Sequence, residues 1–189
     1  HWMVHSFPTR RSSDLMKLFG ARTGFFRTLL QPDGKILAIA AISDTANIQS
    51  AVLRFHSDGT PDLEFADNGV YATANDWPYH LGADGMLLPD GKILVVDDIA
   101  YQNVIAVTRL LPNGVRDSAF ADNGVSYISI DFPIYSPYPS RSFLQPDGKI
   151  VIIGEYEDID SEKTGGFVMR VLPDGNLDTS FGNQGIKTF

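Results

Sequence analysis

The sequence predicts an all-β protein built from three copies of one structural unit. The first observation is a repeated motif, Pro-Asp-Gly-Lys-Ile, which occupies residues 32–36, 89–93 and 146–150, so that successive copies stand 57 residues apart. The second is that short runs rich in β-branched residues flank every copy, without sustained helical periodicity. A fixed period of this size is typical of repeat proteins, in which each unit buries its apolar surface against its neighbours.

Two tight turns divide each repeat. One is the Pro-Asp-Gly turn, and the other is Ser57-Asp58-Gly59, Pro112-Asn113-Gly114 or Pro173-Asp174-Gly175. Asp-Gly and Asn-Gly pairs supply the positive φ that a hairpin requires. Each repeat therefore contains two predicted β-hairpins.

Four strands follow from these turns, and we name them A to D in chain order. Strand A precedes the first turn (25–30, 86–88, 143–144), strand B follows it, strand C precedes the second turn, and strand D ends the repeat (70–73, 125–129, 186–189). The strand B runs KILAIAAI, KILVVDD and KIVIIG are almost continuously apolar, which favours burial on both faces. Four strands with both faces buried are typical of a β-propeller blade.

The predicted architecture is a partial β-propeller of three tandem four-stranded antiparallel blades. We place blade 1 at 25–81, blade 2 at 82–138 and blade 3 at 139–189, with 16–24 leading into the first strand. Closed propellers typically have four to eight blades, so three form an open arc. We expect apolar blade faces exposed at both ends of the arc, and self-association through these edges.

The lengths of the connections predict where a ligand would bind. The A–B and C–D turns do not vary in length, whereas the B–C and D–A connections vary in steps of two residues. In an up-and-down sheet the A–B and C–D turns share one edge, so the variable loops share the other. Function concentrates on loops held by a rigid scaffold, which favours the variable edge.

An arginine and an aspartate recur eight residues apart in every repeat. The pairs are Arg54/Asp62, Arg109/Asp117 and Arg170/Asp178, and a phenylalanine follows each aspartate by three residues. We predict an ion pair across the second hairpin. Its presence in all three repeats indicates a structural role rather than a single active site.

Four aromatic residues in the D–A connections are the candidate ligand-binding residues: Trp77, Tyr79, Tyr135 and Tyr138. Rings held by neighbouring prolines can stack on a sugar or anchor a partner peptide. The alternative is structural: Trp77 and Phe132 stand 55 residues apart at equivalent positions and would fill the seams between blades.

Carboxylates are expected on the variable edge. We place Asp97 and Asp98 in the B–C loop of blade 2, and the run EYEDIDSE (155–162) in that of blade 3. Such groups can collect a hard cation such as Ca²⁺ or remain solvated. The run does not match an EF-hand loop, and we predict no metal site and no cofactor.

Composition and motifs narrow the function further. The chain has 189 residues, a net charge of −8 and no cysteine. The acidic balance makes nucleic acid a poor partner, and no apolar stretch is long enough to span a membrane. Because G-x-S-x-G, P-loop and H-E-x-x-H motifs are missing, we predict no catalytic residue. The sequence favours a non-catalytic structural or interaction module with a protein or glycan partner. The alternative is a carbohydrate- or cation-binding propeller, either by itself or as part of a glycan-active enzyme.

The motifs LQPDGKI (144–150) and LDTSFGNQG (177–185) resemble the delta-60 repeat family of bacterial β-propellers. The resemblance covers roughly residues 25–189, with Leu88 and Glu64 as departures from the family pattern. It implies a propeller within a large secreted or surface-anchored bacterial protein, and therefore an extracellular or cell-surface location. It implies no reaction.

The first fifteen residues are excluded from these predictions. The string FPTRRSSDL (7–15) looks like a translated sequencing-adapter oligonucleotide, the alternative being a genuine basic leader. We accordingly expect the chain to be a fragment of a longer reading frame.

Overall fold

Twelve β-strands make up the regular structure of the protein. The computed structural model describes residues 22–43, 48–73, 80–99, 102–130, 134–158 and 164–189. In chain order the strands are β1 Arg22–Leu30, β2 Ile36–Ser43, β3 Ile48–Phe55, β4 Val70–Ala72, β5 His80–Leu87, β6 Ile93–Ile99, β7 Val104–Leu110, β8 Val125–Ser129, β9 Ile134–Leu144, β10 Ile150–Asp158, β11 Thr164–Val171 and β12 Ile186–Thr188.

The strands form three separate four-stranded sheets, which are the predicted blades. Their orders are β1-β2-β3-β4, β5-β6-β7-β8 and β9-β10-β11-β12, and all neighbouring strands are antiparallel. The predicted fold, an unclosed propeller of three blades, is therefore confirmed. The A–B and C–D connections lie at one edge of each sheet, the turn edge, and the other connections lie at the opposite loop edge.

The first strands of blades 2 and 3 are longer than the sequence indicates. In β9 the prolines Pro137 and Pro139 lie within the strand. Proline is tolerated here because β9 pairs only with β10, so the missing N–H group is not needed by a second neighbour. Two irregularities in the register of this pair accommodate the prolines.

Neighbouring blades pack face to face. We call the side of a sheet that looks toward the following blade in the chain its tail face, and the opposite side its head face. The seam between blades 1 and 2 packs Leu37 and Ile39 of the first tail face with Ile93 and Val95 of the second head face. The seam between blades 2 and 3 is packed in the same way. Its apolar residues include Leu94, Val96, Val107, Ile150, Ile152 and Val171. Strand β6, which lies in both seams, is buried along its entire length, as its continuous apolar sequence predicts.

The two ends of the arc differ, and the expectation of exposed apolar faces at both ends is only half right. On the tail face of blade 3, Val151 and Ile153 are half-buried. On the head face of blade 1, Ala38 and Leu53 are buried. Ala38 occupies the position of Val95 and Ile152 in the other blades, so this face also presents less apolar surface than theirs.

Among the described residues there is no helix of the length and hydropathy needed to cross a membrane.

Candidate functional site

The turn edge carries six tight turns that share one geometry. In each blade the first Asp or Asn of the turn accepts a hydrogen bond from the amide two residues later, as in Lys35 N to Asp33 Oδ1 (3.1 Å) and Val115 N to Asn113 Oδ1 (3.1 Å). The following glycine has a positive φ, 86° at Gly34 and 87° at Gly114. The predicted hairpin turns are confirmed, and their aspartates act as local acceptors.

An ion-pair cluster joins the two turns of blade 1. Asp62 accepts hydrogen bonds at Oδ2 from Arg54 Nε (2.7 Å), and Lys35 Nζ lies 2.9 Å from the same oxygen. Its other oxygen accepts the Glu64 amide at 3.2 Å. The carboxylate is buried, so these donors replace its lost hydration. We call this Lys–Asp–Arg group the clasp.

The clasp recurs in the other two blades with nearly the same distances. Asp117 Oδ2 lies 2.8 Å from Arg109 Nε and 3.1 Å from Lys92 Nζ. In blade 3, Asp178 Oδ2 makes the same contacts at 2.8 and 3.1 Å, with Arg170 and Lys149. The predicted Arg–Asp pair is confirmed in every blade. The lysine was missed, although it follows the turn glycine in all three repeats.

The clasp holds its carboxylates in the ionised form. Burial acts to raise the pKa of Asp62, but the Lys35 ammonium, the Glu64 amide and the Arg54 guanidinium outweigh it and leave the pKa below its ordinary value. The pKa of Asp117 is lowered by the same balance. At Asp178 the Ser180 hydroxyl is the largest influence, and the pKa is again lowered.

Each clasp arginine also covers the ring of the phenylalanine that follows the aspartate. The guanidinium carbon lies 4.6 Å from the ring centre in Arg54–Phe65, 4.4 Å in Arg109–Phe120 and 4.7 Å in Arg170–Phe181. This stacking combines cation–π attraction with burial of the aliphatic stem.

The clasp of one blade reaches into the next. Arg54 Nη1 donates to the carbonyl of Pro112 (2.8 Å), and the Ala66 amide donates to the carbonyl of Asn113 (2.8 Å). Phe65 lies against Gly114 so closely that a Cβ there would stand 2.7 Å from the ring. The phenylalanine thus requires a glycine in the second turn of the following blade.

The seam between blades 2 and 3 repeats these three contacts. Arg109 Nη1 donates to the carbonyl of Pro173 (3.0 Å), and the Ala121 amide donates to that of Asp174 (3.0 Å). A Cβ on Gly175 would lie 2.9 Å from the ring of Phe120. The clasp is therefore an inter-blade fastener as well as an intra-blade one.

A second link joins the first strands of all three blades. Asp84 of β5, which is fully buried, accepts Arg27 Nη1 of blade 1 at 2.6 Å. Its other oxygen accepts the amide and the hydroxyl of Ser142 in blade 3 at 2.6 and 2.8 Å. This carboxylate was missed in the sequence because it does not recur at the same position of the other repeats, where Arg27 and Arg141 stand.

The placement of Asp97 and Asp98 in a B–C loop is wrong. Both residues lie in β6, and both are buried because the strand continues to Ile99 between the two neighbouring blades. Neither oxygen of Asp97 has a hydrogen-bond partner among the described residues, nor does Oδ2 of Asp98 or the buried hydroxyl of Ser50.

Burial dominates the electrostatics of these two aspartates. It raises the pKa of Asp97 to about 7. The nearby Ser50 hydroxyl partly opposes this rise although it does not reach hydrogen-bonding geometry, and the charge of Asp98 adds to the rise. The pKa of Asp98 is raised to about 6 by burial. A carboxyl that stays protonated near neutral pH is a neutral hydrogen-bonding group rather than a fixed charge.

A cleft of about 360 Å³ opens at the turn edge of the seam between blades 2 and 3. Its lining is mostly apolar and includes Leu88, Leu94, Leu144 and Pro146. Arg109 borders it, but this guanidinium is already engaged by its clasp. Asp90, the other charged residue of the lining, accepts the Lys92 amide and lies 3.4 Å from Lys92 Nζ, so both charged groups of the cleft have partners within the protein.

The four predicted aromatic site residues are only partly placed. Trp77 and Tyr79, together with Phe132, lie outside the described residues, and so does the side chain of Tyr135. Tyr138 lies in β9 with 42% of its surface exposed, opposite Glu155 of β10. Their convergence on one ligand site stays a prediction.

The placement of the acidic run of blade 3 in a B–C loop is wrong for its first residues. Glu155 and Glu157 lie in β10, where both are exposed, whereas 159–163 lie outside the described residues. Within the part of the chain that the structure describes, no group of three or more His, Asp or Glu side chains is arranged to hold a metal ion.

Comparison with known proteins identifies a repeat family. The family model described as "Domain of unknown function (DUF5122) beta-propeller" matches residues 31–65, 88–120 and 145–181. Each matched segment runs from the Pro-Asp-Gly turn to the clasp phenylalanine, which is the part of the blade that forms the turn edge. No curated protein and no solved structure matches the chain. The expected propeller repeat family is confirmed, and the narrower assignment to the delta-60 repeats stays a prediction.

Proposed function

The chain belongs to the DUF5122 β-propeller family, and from this premise we propose that it is a non-catalytic structural or interaction module of a secreted or cell-surface bacterial protein. The observation that carries the proposal is the threefold repetition of the clasp, including its cross-seam bonds from Arg54 and Arg109. A group that recurs in every blade, and that bonds to the following blade in both seams, serves assembly.

The consequence of the clasps is rigidity. Each seam is fixed at the turn edge by a charged hydrogen bond, a backbone hydrogen bond and a ring packed on glycine, and below them by an apolar interface. Charge-assisted bonds constrain direction as well as distance. The arc therefore holds its loop edge in a fixed orientation, as a scaffold for contacts requires.

The bacterial secreted or surface location rests on the resemblance of LQPDGKI and LDTSFGNQG to delta-60 repeats. The lack of cysteine in the chain neither requires nor opposes it.

Rigidity can be measured directly because the chain has no native cysteine. Spin labels at Leu63→Cys and Thr179→Cys, two exposed positions in blades 1 and 3, are expected to give one narrow distance distribution. Adding Asp117→Ala should broaden it, and the exposed Asp122→Asn should not. A broad distribution in the parent chain would contradict the scaffold role, and release of reducing sugar from polysaccharides would contradict its non-catalytic nature.

A carbohydrate-binding function is the second candidate, supported by Tyr138. Its exposed ring stands opposite Glu155 across the β9–β10 pair, and an aromatic face beside a carboxylate suits the apolar face and hydroxyls of a sugar. Screening against immobilised glycans tests it: binding should occur and should be lost in Tyr138→Ser. Equal signals from the two proteins would oppose it.

A further inference from the structure

The tail face of blade 3 is an unoccupied copy of two interfaces that the molecule already contains. Val151, Ile153 and Val168 are half-buried. The residues at the same sheet positions in the other blades are fully buried: Leu94, Val96, Val107, Leu37, Ile39 and Val52. The difference is that blades 1 and 2 have a blade packed on them.

The phenylalanine of the third clasp shows the same contrast. Phe65 and Phe120 have 0% of their surface exposed, because each is pressed against the turn glycine of the next blade. Phe181 is only half-buried, although Arg170 stacks on it as in the other clasps.

Two polar groups at this edge lack the partners that their counterparts have. Within the described chain, Arg170 donates to Asp178 but makes no bond like those of Arg54 and Arg109 to a carbonyl of the next blade. The Gly182 amide makes no bond like those of Ala66 and Ala121. Both groups are already oriented, since Arg170 is held by its aspartate and Gly182 has the left-handed φ of 57° that Ala66 and Ala121 share.

We propose that the tail face of blade 3 is a docking site for the head face of a further blade of the same repeat type. The incoming second turn would read x-Asx-Gly. The carbonyl of its first residue would accept Arg170 Nη1, the carbonyl of its Asx would accept the Gly182 amide, and its glycine would cover Phe181. The proposal rests on the structural module proposed above and names its partner.

The charged residue on the first strand of each blade indicates which kind of blade would dock. Arg27 of blade 1 pairs with Asp84 at the same position of blade 2. Arg141 of blade 3 occupies the position of Arg27 and bonds only the adjacent Ser140 carbonyl within the described residues. A blade with a carboxylate at this position, as in blade 2, therefore fits the site better than one with an arginine.

The occupant is a blade and not a loop or a disordered peptide, because the half-buried residues span strands β10 and β11 as well as the turn edge. A single peptide would cover the turn edge or one strand, whereas the two existing seams cover both together.

The test appends a duplicate of residues 74–130, which covers the connection before β5 and all four strands of blade 2, to the C-terminal end of the full chain and follows amide hydrogen exchange. This segment carries copies of Asp84 and of the Pro112-Asn113-Gly114 turn. The amides of Ala66 and Ala121, which bond across the existing seams, are internal references. We expect Gly182 to exchange at least tenfold more slowly in the extended chain, approaching the rate of Ala121.

The matched control is the same extension with the duplicated copy of Gly114 changed to valine. It should leave Gly182 exchanging as in the parent chain, because the valine would meet the ring of Phe181. Unchanged Gly182 exchange beside a folded appended blade would overturn the proposal, and so would an appended blade that stays unfolded. A parent chain that protects Gly182 by dimerising would assign the face to a second copy instead. None of these results bears on the label distances or sugar-release assays that test the proposed function.

Discussion

The two seams of the molecule carry the same contacts at the turn edge, but their interiors differ. At equivalent positions of strands B and C, the head face of blade 3 has Gly154 and Phe167, whereas that of blade 2 has Asp97 and Ala106. Phe167 fills the space above Gly154, where a Cβ would lie 2.6 Å from the ring. The seam between blades 1 and 2 instead encloses an unpaired carboxyl.

The comparison separates what the repeat conserves from what it varies. The clasp satisfies every buried charge with donors from its own blade and is therefore independent of the neighbour's interior. The interiors of the two seams are filled differently. The ring of Phe167 fills the seam between blades 2 and 3, whereas the protonated carboxyl of Asp97 lies in the seam between blades 1 and 2. The contacts that fasten the blades are the same in both seams. Burial of the Asp97 carboxyl, which has no hydrogen-bond partner among the described residues, instead lowers the stability of the folded protein.

The largest expected effect comes from removing the ionisable group of Asp97. The folded protein keeps Asp97 protonated up to about pH 7, whereas the unfolded chain ionises it near 3.8. Stability is therefore fullest below the unfolded pKa and falls as the pH rises through the folded pKa, by about 4 kcal/mol. Asp97→Asn should abolish this part of the decline and be the more stable protein at pH 8, measured by urea unfolding across pH 4 to 8.

The control for this experiment is Asp122→Asn, which removes an exposed carboxylate from the same blade. At pH 8 its unfolding free energy should stay within about 0.5 kcal/mol of the parent's, as is usual for a surface substitution. Asp98, whose pKa is raised to about 6, contributes a decline of the same sign, so a residual slope in Asp97→Asn is expected. Parallel curves for Asp97→Asn and the parent would show that Asp97 is ionised in the folded state.

The contribution of a clasp aspartate to stability should depend on pH in the opposite direction to that of Asp97. Asp117→Ala leaves Lys92 and Arg109 without their shared partner, and because both cations keep some contact with water we expect a loss of about 2 kcal/mol. The pKa of Asp117 is lowered on folding, so its contribution is present above the unfolded value of 3.8 and disappears as the pH falls. The deficit of the variant should thus be full at pH 6 and shrink below pH 3.8; a thermal midpoint equal to the parent's at pH 6 would refute the role.

A smaller effect isolates the contact of phenylalanine with glycine. Gly114→Ala places a methyl group 2.7 Å from the ring of Phe65, at a φ of 87°. Gly59 has a φ of 82° with nothing within 4 Å of a new Cβ, so Gly59→Ala incurs only backbone strain, about 1 kcal/mol. Gly114→Ala should cost at least about 1 kcal/mol more, and equal losses of stability would mean that the ring yields without cost.

The sequence predicted the features that depend on local spacing. Turn glycines, strand order and the pairing of Arg54 with Asp62 follow from dipeptide chemistry and an eight-residue offset that recurs three times. The lysine of the clasp also recurs in every repeat, but the sequence indicated only that it belongs to the first turn. Its contact with an aspartate of the second turn, as between Lys35 and Asp62, depends on how the two turns pack and cannot be deduced from spacing.

Features that depend on the neighbouring blade were not predictable in the same way. Asp97 and Asp98 end an apolar run, where charge ordinarily marks the start of a solvated loop. Their burial follows from the length of β6 and from the two blades that enclose it. Asp84 was missed for a related reason, since its partners Arg27 and Ser142 lie on two other blades.

The most direct test of the clasp as an inter-blade fastener is hydrogen exchange at Ala66 and Ala121 in two variants. Asp62→Asn should accelerate exchange at Ala66, whose amide bonds across the first seam, while leaving Ala121 unchanged; Asp117→Asn should do the reverse. Unaltered exchange at both amides in both variants would contradict the account, because the seams would then hold without their clasps.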